Sequence, residues 1–131
     1  MPQDKTVILC VDDEENPLTL RKLVLENAGY DVVTASSAVQ ALGVVSSRRI
    51  DLVLSDYLMP GSSGGELARQ IKAGWPSLPI ILHSGVNEIP ADAGCADLFL
   101  SKVEGPAVLC ERIAAVLGGA RTRNPETLPE R

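Results

Sequence analysis

LVLSDYLMPG, Leu52–Gly61, is a short apolar run that ends on a lone carboxylate, Asp56, and breaks immediately afterwards at Pro60 and Gly61. Apolar runs of this length between turn residues are typical of buried strands. A charge that is buried without a partner costs a large free energy of desolvation. We therefore expect Asp56 to emerge at the tip of a strand, where a cation can meet it.

Five runs of this kind, rich in β-branched residues, recur along the chain. They predict strands over Thr6–Val11, Asp31–Ala35, Leu52–Ser55, Ile80–His83 and Leu98–Leu100. Stretches with helical periodicity lie between the runs. This alternation is typical of an α/β fold in which helices cover both faces of a doubly wound parallel sheet.

The first helix has the clearest boundaries. Asn16 is the expected N-cap, Pro17 the first helical residue and Gly29 the end signal. The helix is expected to turn an apolar stripe to the sheet, formed by Leu20, Leu23, Val24 and Ala28.

Three other helices are predicted, over Ser37–Val45, over Gly65–Lys72, and from Pro106 to a stop at Gly118. Glycine and proline interrupt the segment between the fourth and fifth strands. A further helix in Val86–Ala93 must therefore be short, distorted or absent.

Composition limits the function. The 131 residues carry a net charge of −5, which argues against direct nucleic-acid binding. Three cysteines without C-x-x-C spacing indicate neither a disulfide framework nor a zinc site, and no apolar run is long enough to span a membrane. We expect one cytoplasmic domain over residues 1–117, followed by a tail or linker over residues 118–131 that is rich in charge and proline.

Acidic residues follow two strands that would be neighbours in the order 2-1-3-4-5. Asp12 and Asp13 follow the first strand, and Asp56 ends the third. Ligands of doubly wound sheets bind beyond the carboxyl ends of the strands, so three carboxylates would meet there. Such a set of hard oxygen ligands suits Mg²⁺. Acidic residues at strand ends are also ordinary loop formers and helix caps, the interpretation we give to Glu14 and Glu15.

Two more strand ends supply groups that a phosphoryl site needs. Ser84 ends the fourth strand and Lys102 follows the fifth. A carboxylate nucleophile, a divalent metal, an ammonium group and a hydroxyl can together receive a phosphoryl group and stabilise its charge. Each residue alone would be weak evidence for such a site, but the pattern at four strand ends together is specific to a site that accepts a phosphoryl group.

The ordered motifs ILCVDDEEN, DLVLSDYLMPGSSGGEL, IILHSG and LFLSK, within residues 6–117, resemble the receiver domain of two-component response regulators, in particular the single-domain chemotaxis-regulator type. The resemblance implies a flavodoxin-like fold, dependence on Mg²⁺, and transfer of phosphate to Asp56 from a phosphohistidine of a sensor histidine kinase. The chain would then act as a phosphoacceptor regulator that catalyses only its own phosphorylation and dephosphorylation, and not as an ordinary enzyme.

The resemblance also implies roles for individual residues. Asp13 would hold the metal directly and Asp12 through water, together with Asp56 and the backbone carbonyl of Leu58. Lys102 would pair with the phosphate.

The resemblance extends to the switch that follows phosphorylation. Ser84 would turn toward the phosphoryl oxygen, and Phe99 would rotate inward on activation. Phe99 can equally be a plain core aromatic.

Two departures from the family pattern stand out. Val103 follows Lys102 where the family usually has a cis-proline, which predicts a trans bond and leaves the approach of Lys102 open. The interval from Ser84 to Lys102 is also shorter than usual by roughly one helical turn.

Other functions remain open at this point. A receiver that has lost phosphorylation would be an interaction module. An aspartate-nucleophile phosphatase would need a second acid two residues after Asp56, where Leu58 stands. The expected partners are a sensor histidine kinase or phosphotransfer protein and either a downstream target or an output domain, with no direct contact to nucleic acid or membrane. The chain could be a stand-alone receiver or a piece of a larger regulator or hybrid kinase.

Overall fold

The computed structural model describes residues 5–85 and 90–122, with side chains described as far as residue 118. Five strands form one parallel sheet in the order β2-β1-β3-β4-β5, as predicted. The strands are β1 Val7–Val11, β2 Asp31–Ala35, β3 Leu52–Asp56, β4 Ile80–Ser84 and β5 Leu98–Ser101.

Helices connect the strands. They are α1 Glu15–Asn27, α2 Ala38–Ser47, α3 Gly64–Gly74 and α4 Pro106–Thr122, with a 3₁₀ helix at Ala91–Ala93. Serines cap two of them: Ser37 Oγ accepts a hydrogen bond from Gln40 N, and Ser63 Oγ accepts one from Glu66 N. These caps satisfy backbone donors that the first turn of a helix leaves free.

The sheet separates two apolar cores, because alternate residues of each strand point to opposite faces. One core, under α2 and α3, contains Leu9, Val53, Leu67, Ile71 and Leu82. The other, under α1 and α4, contains Ile8, Leu25, Leu54, Leu109 and Ile113. The three central strands are buried along their whole length, so their carboxyl ends are held rigidly.

The prediction for α1 was wrong in two respects. At its start, Glu14 and not Asn16 occupies the N-cap position, without a capping bond from its side chain, and the first helical residue is Glu15 and not Pro17. The buried face consists of Leu18, Arg21 and Leu25, whereas Leu20 and Leu23 are 63% and 54% exposed. Gly29 does follow the helix in a left-handed conformation, with φ of 102°, as expected of a C-terminal glycine.

The later part of the chain agrees with the prediction in part. The 3₁₀ helix Ala91–Ala93 is the only helical turn described between β4 and β5, where a shortened helix was expected; residues 86–89 lie outside the described residues. The expected stop at Gly118 was wrong, because α4 continues to Thr122. Residues 123–131 of the predicted tail lie outside the described residues, so the boundary at residue 117 stays a prediction. In the described part of the chain, none of the helices combines the length and apolarity needed to cross a bilayer.

His83 is a buried polar residue of β4, only 7% exposed. Neither ring nitrogen has a hydrogen-bond partner among the described residues. Burial, followed by the charges of Arg21 and Lys102, lowers the pKa of His83 to about 4. The ring is therefore neutral at pH 7, and protonating it in the folded protein is unfavourable.

Substitution of Gly65 tests how closely α3 packs against the 3₁₀ helix. A Cβ atom at Gly65 would collide with the backbone and side chain of Asp92. We expect Gly65→Ala to lower the free energy of unfolding by about 1–3 kcal/mol, as overpacking does. Gly43→Ala is the matched control, since a Cβ there meets nothing within 4 Å and should stabilise α2 by about 0.5–1 kcal/mol. Equal effects in urea unfolding would contradict the close packing.

His83 predicts a specific dependence of stability on pH. The unfolded ring titrates near 6.5 and the folded ring near 4, so the unfolded chain binds more protons as pH falls, and the folded protein loses stability between these values. His83→Leu removes this loss. The gain in unfolding free energy of His83→Leu over the wild type should be larger at pH 5 than at pH 7, by roughly 2 kcal/mol. The chain has one histidine, and the other groups cancel in the difference. A gain that does not change with pH would contradict the burial of a neutral ring.

Candidate phosphoacceptor and metal site

The structure brings the three predicted carboxylates together. Asp12 and Asp13 follow β1, Asp56 is the last residue of β3, and each offers an oxygen within 4.8 Å of the others. Asp12 and Asp56 are buried, whereas Asp13 is exposed. The two strands are hydrogen-bonded neighbours, so the convergence is a direct result of the strand order.

Asp12 is held by an arginine that the sequence analysis did not identify. Arg21 Nη1 lies 3.2 Å from Asp12 Oδ2, and the two side chains are 9% and 2% exposed. Asp12 Oδ1 accepts a hydrogen bond of 3.0 Å from the backbone N–H of Glu14, so both oxygens of the carboxylate have donors. Buried ion pairs are tolerated when hydrogen bonds also satisfy the charged groups.

Asp56 is paired with Lys102. The ammonium of Lys102 contacts Asp56 Oδ1, although Val103 replaces the usual proline and no described peptide bond is cis. Lys102 therefore does reach Asp56, a point that the sequence left open. Burial raises the pKa of Asp56 above its ordinary value, Lys102 opposes this rise, and the negative charge of Asp12 adds to it.

These contacts define the charge of the site. Three carboxylates face the two cations Arg21 and Lys102, which leaves one negative charge without a partner in the cluster. A cavity of about 320 Å³ opens beside Asp13 and Asp56 and is also lined by Leu58, Ser84 and Lys102. Carboxylate oxygens around a cavity that admits water fit Mg²⁺, which binds through one or two carboxylates and keeps several waters.

The remaining predicted residues lie around this cavity. Ser84 is buried at the end of β4, and Leu58 is 60% exposed just after Asp56. Phe99 is half-buried in β5 and packs edge-to-face against Tyr57, with 6.0 Å between the ring centroids. Tyr57, the residue after Asp56, thus links the tip of β3 to Phe99.

A second group of polar residues, which sequence reasoning missed, holds the hydroxyl of Tyr57 by hydrogen bonds. Asp92, in the 3₁₀ helix, accepts hydrogen bonds from the hydroxyl of Tyr57 at 2.5 Å and from that of Ser63 at 2.7 Å. Both bonds lower the pKa of Asp92, and the bond to Asp92 raises the pKa of Tyr57. Because residues 57 and 92 are 35 apart, no local sequence signal could have paired them.

Comparison with known proteins agrees with this geometry. The family model of the response regulator receiver domain matches residues 8–114. The chain is 37% identical over 116 residues to the phosphate regulon transcriptional regulatory protein PhoB of Pseudomonas aeruginosa, which covers 84% of this chain and 51% of PhoB. The chain thus spans about half the length of this curated relative.

Solved structures are similar over most of their length. A CheY-like receiver domain protein of Methanospirillum hungatei has a TM-score of 0.86 and 26% identity, covering 92% of this chain and all of that one. The response regulator TrrA of Thermotoga maritima, solved in complex with Mg²⁺-BeF, has a TM-score of 0.81 and 33% identity, covering 85% of this chain and 98% of that one. The predicted flavodoxin-like fold is confirmed, and the chain belongs to the family of response regulator receiver domains.

Proposed function

We propose that Asp56 is the phosphoacceptor of this receiver domain and takes a phosphoryl group from a phosphohistidine of a sensor histidine kinase or phosphotransfer protein. The observation that carries the proposal is the position of Asp56. It is buried at the tip of β3, beside two other carboxylates and in contact with Lys102, at the edge of a cavity open to solvent.

The chemistry follows from this arrangement. A carboxylate oxygen of Asp56 attacks phosphorus, the P–N bond of the donor breaks, and the leaving imidazole keeps the electron pair. Lys102, already beside Asp56, neutralises charge on the phosphoryl oxygens, and the hydroxyl of Ser84 lies next to the same cavity. Mg²⁺ bound at the cluster would supply further positive charge for those oxygens.

The described contacts support different roles for Asp12 and Asp13 in metal binding. Asp13 is exposed and lines the cavity, which suits direct contact with the metal. Both oxygens of Asp12 already accept hydrogen bonds, from Arg21 and from the backbone of Glu14, so Asp12 is better placed to hold a metal-bound water. The carbonyl of Leu58, at the edge of the cavity, would complete the protein ligands.

We further propose that the signal leaves the site through Tyr57 and Phe99. A phosphoryl group adds charge and three acceptor oxygens, which Ser84 and Lys102 can satisfy only by moving. Tyr57 follows Asp56 directly and touches both Phe99 and Asp92, so a shift of the β3 tip reaches β5 and the 3₁₀ helix at once.

The alternatives are less consistent with this geometry. An aspartate-nucleophile phosphatase needs an acid at residue 58, where an exposed leucine stands. A receiver that no longer accepts phosphate does not require a buried carboxylate in contact with Lys102, and this chain keeps that contact. The output partner is either a separate target protein or an output domain.

The test is a reaction with a small phosphoryl donor. Incubation of the full chain with Mg²⁺ and acetyl phosphate should add one phosphoryl group, because Asp56 is the only nucleophile of the cluster with an ammonium partner. Intact-mass spectrometry and peptide mapping measure the modification and its position.

Asp56→Asn should abolish the label, and Asp97→Asn, which removes a carboxylate that pairs with Lys72 away from the cluster, should retain it. Labelling that persists in Asp56→Asn would contradict the assignment. Steady release of phosphate without a labelled protein would point to the phosphatase.

A further inference from the structure

The loop 57–63 connects the end of β3, at Asp56, to the beginning of α3, at Gly64. It carries Leu58, which lines the cavity of the acidic cluster and whose backbone carbonyl is the proposed metal ligand. None of the loop residues belongs to a helix or a strand. The position of the Leu58 carbonyl therefore depends on how the two ends of the loop are held.

One carboxylate, that of Asp92, bonds to both ends of this loop. Tyr57, the first loop residue, donates its hydroxyl to Asp92 Oδ1 at 2.5 Å, and Ser63, the last, donates its hydroxyl to Oδ2 at 2.7 Å. Both bonds lower the pKa of Asp92, so the acceptor is charged at neutral pH. Hydrogen bonds to a charged acceptor are stronger than bonds between neutral groups.

Backbone packing holds the same junction. The N–H of Gly64 donates to the carbonyl of Tyr57 at 2.6 Å. A Cβ atom at Gly64 would collide with the backbone oxygen of Asp56, and one at Gly65 with the backbone oxygen of Asp92. The first turn of α3 thus lies directly between the tip of β3 and the 3₁₀ helix, and the side chain of Asp92 reaches across to both ends of the loop.

The direction of the effect on metal binding follows from the cavity. Leu58 lines it together with Asp13 and Asp56, so the loop with its ends bonded to Asp92 already presents Leu58 to the acidic cluster. A loop that is ordered before binding loses less conformational entropy when one of its groups binds a ligand. Loss of the two bonds should therefore weaken metal binding.

From these contacts we infer that Asp92 is a positioning residue of the metal site. By bonding to Tyr57 and Ser63, it orders the loop that carries Leu58 and so raises the affinity for Mg²⁺. Asp92 does not belong to the acidic cluster and acts only through the loop. This role rests on the proposed metal site, to which it adds a residue from the connection between β4 and β5.

The test uses the full chain and two measurements. Hydrogen exchange with mass spectrometry reports on the order of residues 57–63 without metal, and calorimetric titration gives the affinity for Mg²⁺. Tyr57→Phe removes the hydroxyl, keeps the ring that packs against Phe99 and leaves the charge unchanged. We expect faster exchange in residues 57–63 and about three- to tenfold weaker Mg²⁺ binding, the effect of losing one or two modest hydrogen bonds.

Ser62→Ala is the matched control. It removes a hydroxyl from the same loop, one whose described bond goes to the carbonyl of Ser63 and not to Asp92. Exchange and Mg²⁺ affinity should both stay at the wild-type values. Circular dichroism without metal checks that every variant folds.

Variants of Asp92 separate hydrogen bonding from charge. Asp92→Asn loses the charge but keeps one acceptor oxygen, whereas Asp92→Ala loses both. We expect the affinity for Mg²⁺ to fall from the wild type to Asp92→Asn and further to Asp92→Ala. Adding Tyr57→Phe to Asp92→Ala should not weaken binding further, because the bond between the two side chains is already absent.

Several results would overturn the role of Asp92. They are exchange or Mg²⁺ affinity in Tyr57→Phe equal to that of the wild type, equal affinities of Asp92→Asn and Asp92→Ala, which charge alone would produce, and additive effects of Tyr57→Phe and Asp92→Ala. A wild type that binds no Mg²⁺ overturns the proposed metal site as well. A wild type that binds Mg²⁺ no better than Tyr57→Phe overturns the role of Asp92 alone.

Discussion

The structure depends on negative charges that meet at the carboxyl edge of the sheet and on the cations that hold them there. Asp12 and Asp56 are buried, and the negative charges of carboxylates this close repel one another. Arg21 from α1 and Lys102 from the end of β5 each neutralise one of them. The remaining charge, with Asp13 at the edge of a cavity open to solvent, makes the cluster ready for a divalent cation. The same edge presents Asp56 to a phosphoryl donor.

The sequence alone predicted the sheet and the members of the site, because both depend on local patterns. Short β-branched runs identified all five strands, and the order 2-1-3-4-5 was predicted as that of a known doubly wound fold, among the few that the rules for parallel crossovers allow. Once the order was set, Asp12, Asp13 and Asp56 had to converge, since their strands are neighbours. Ser84 and Lys102 were found in the same way, as residues at strand ends.

The partners of these residues could not be predicted in the same way. Hydrophobicity pointed to Leu20 and Leu23 as the inner face of α1, but the helix instead buries a face that includes Arg21. Burial of Arg21 is favourable because the guanidinium pairs with the charge of Asp12. A rule based on apolar spacing does not include such an ion pair. The spacing of Leu18, Arg21 and Leu25, by three and four residues, was the available signal. The bond between Tyr57 and Asp92 is a tertiary contact with no local signal at all.

The most direct test of the account is calorimetric titration of the full chain with Mg²⁺. The account predicts one bound ion, clearly weaker binding in Asp13→Asn, and tighter binding in Arg21→Met, because loss of the guanidinium returns a negative charge to the cluster. Arg112→Met, which changes an exposed arginine of α4, should bind like the wild type. Absence of Mg²⁺ binding, or binding that is the same in Asp13→Asn and the wild type, would contradict it.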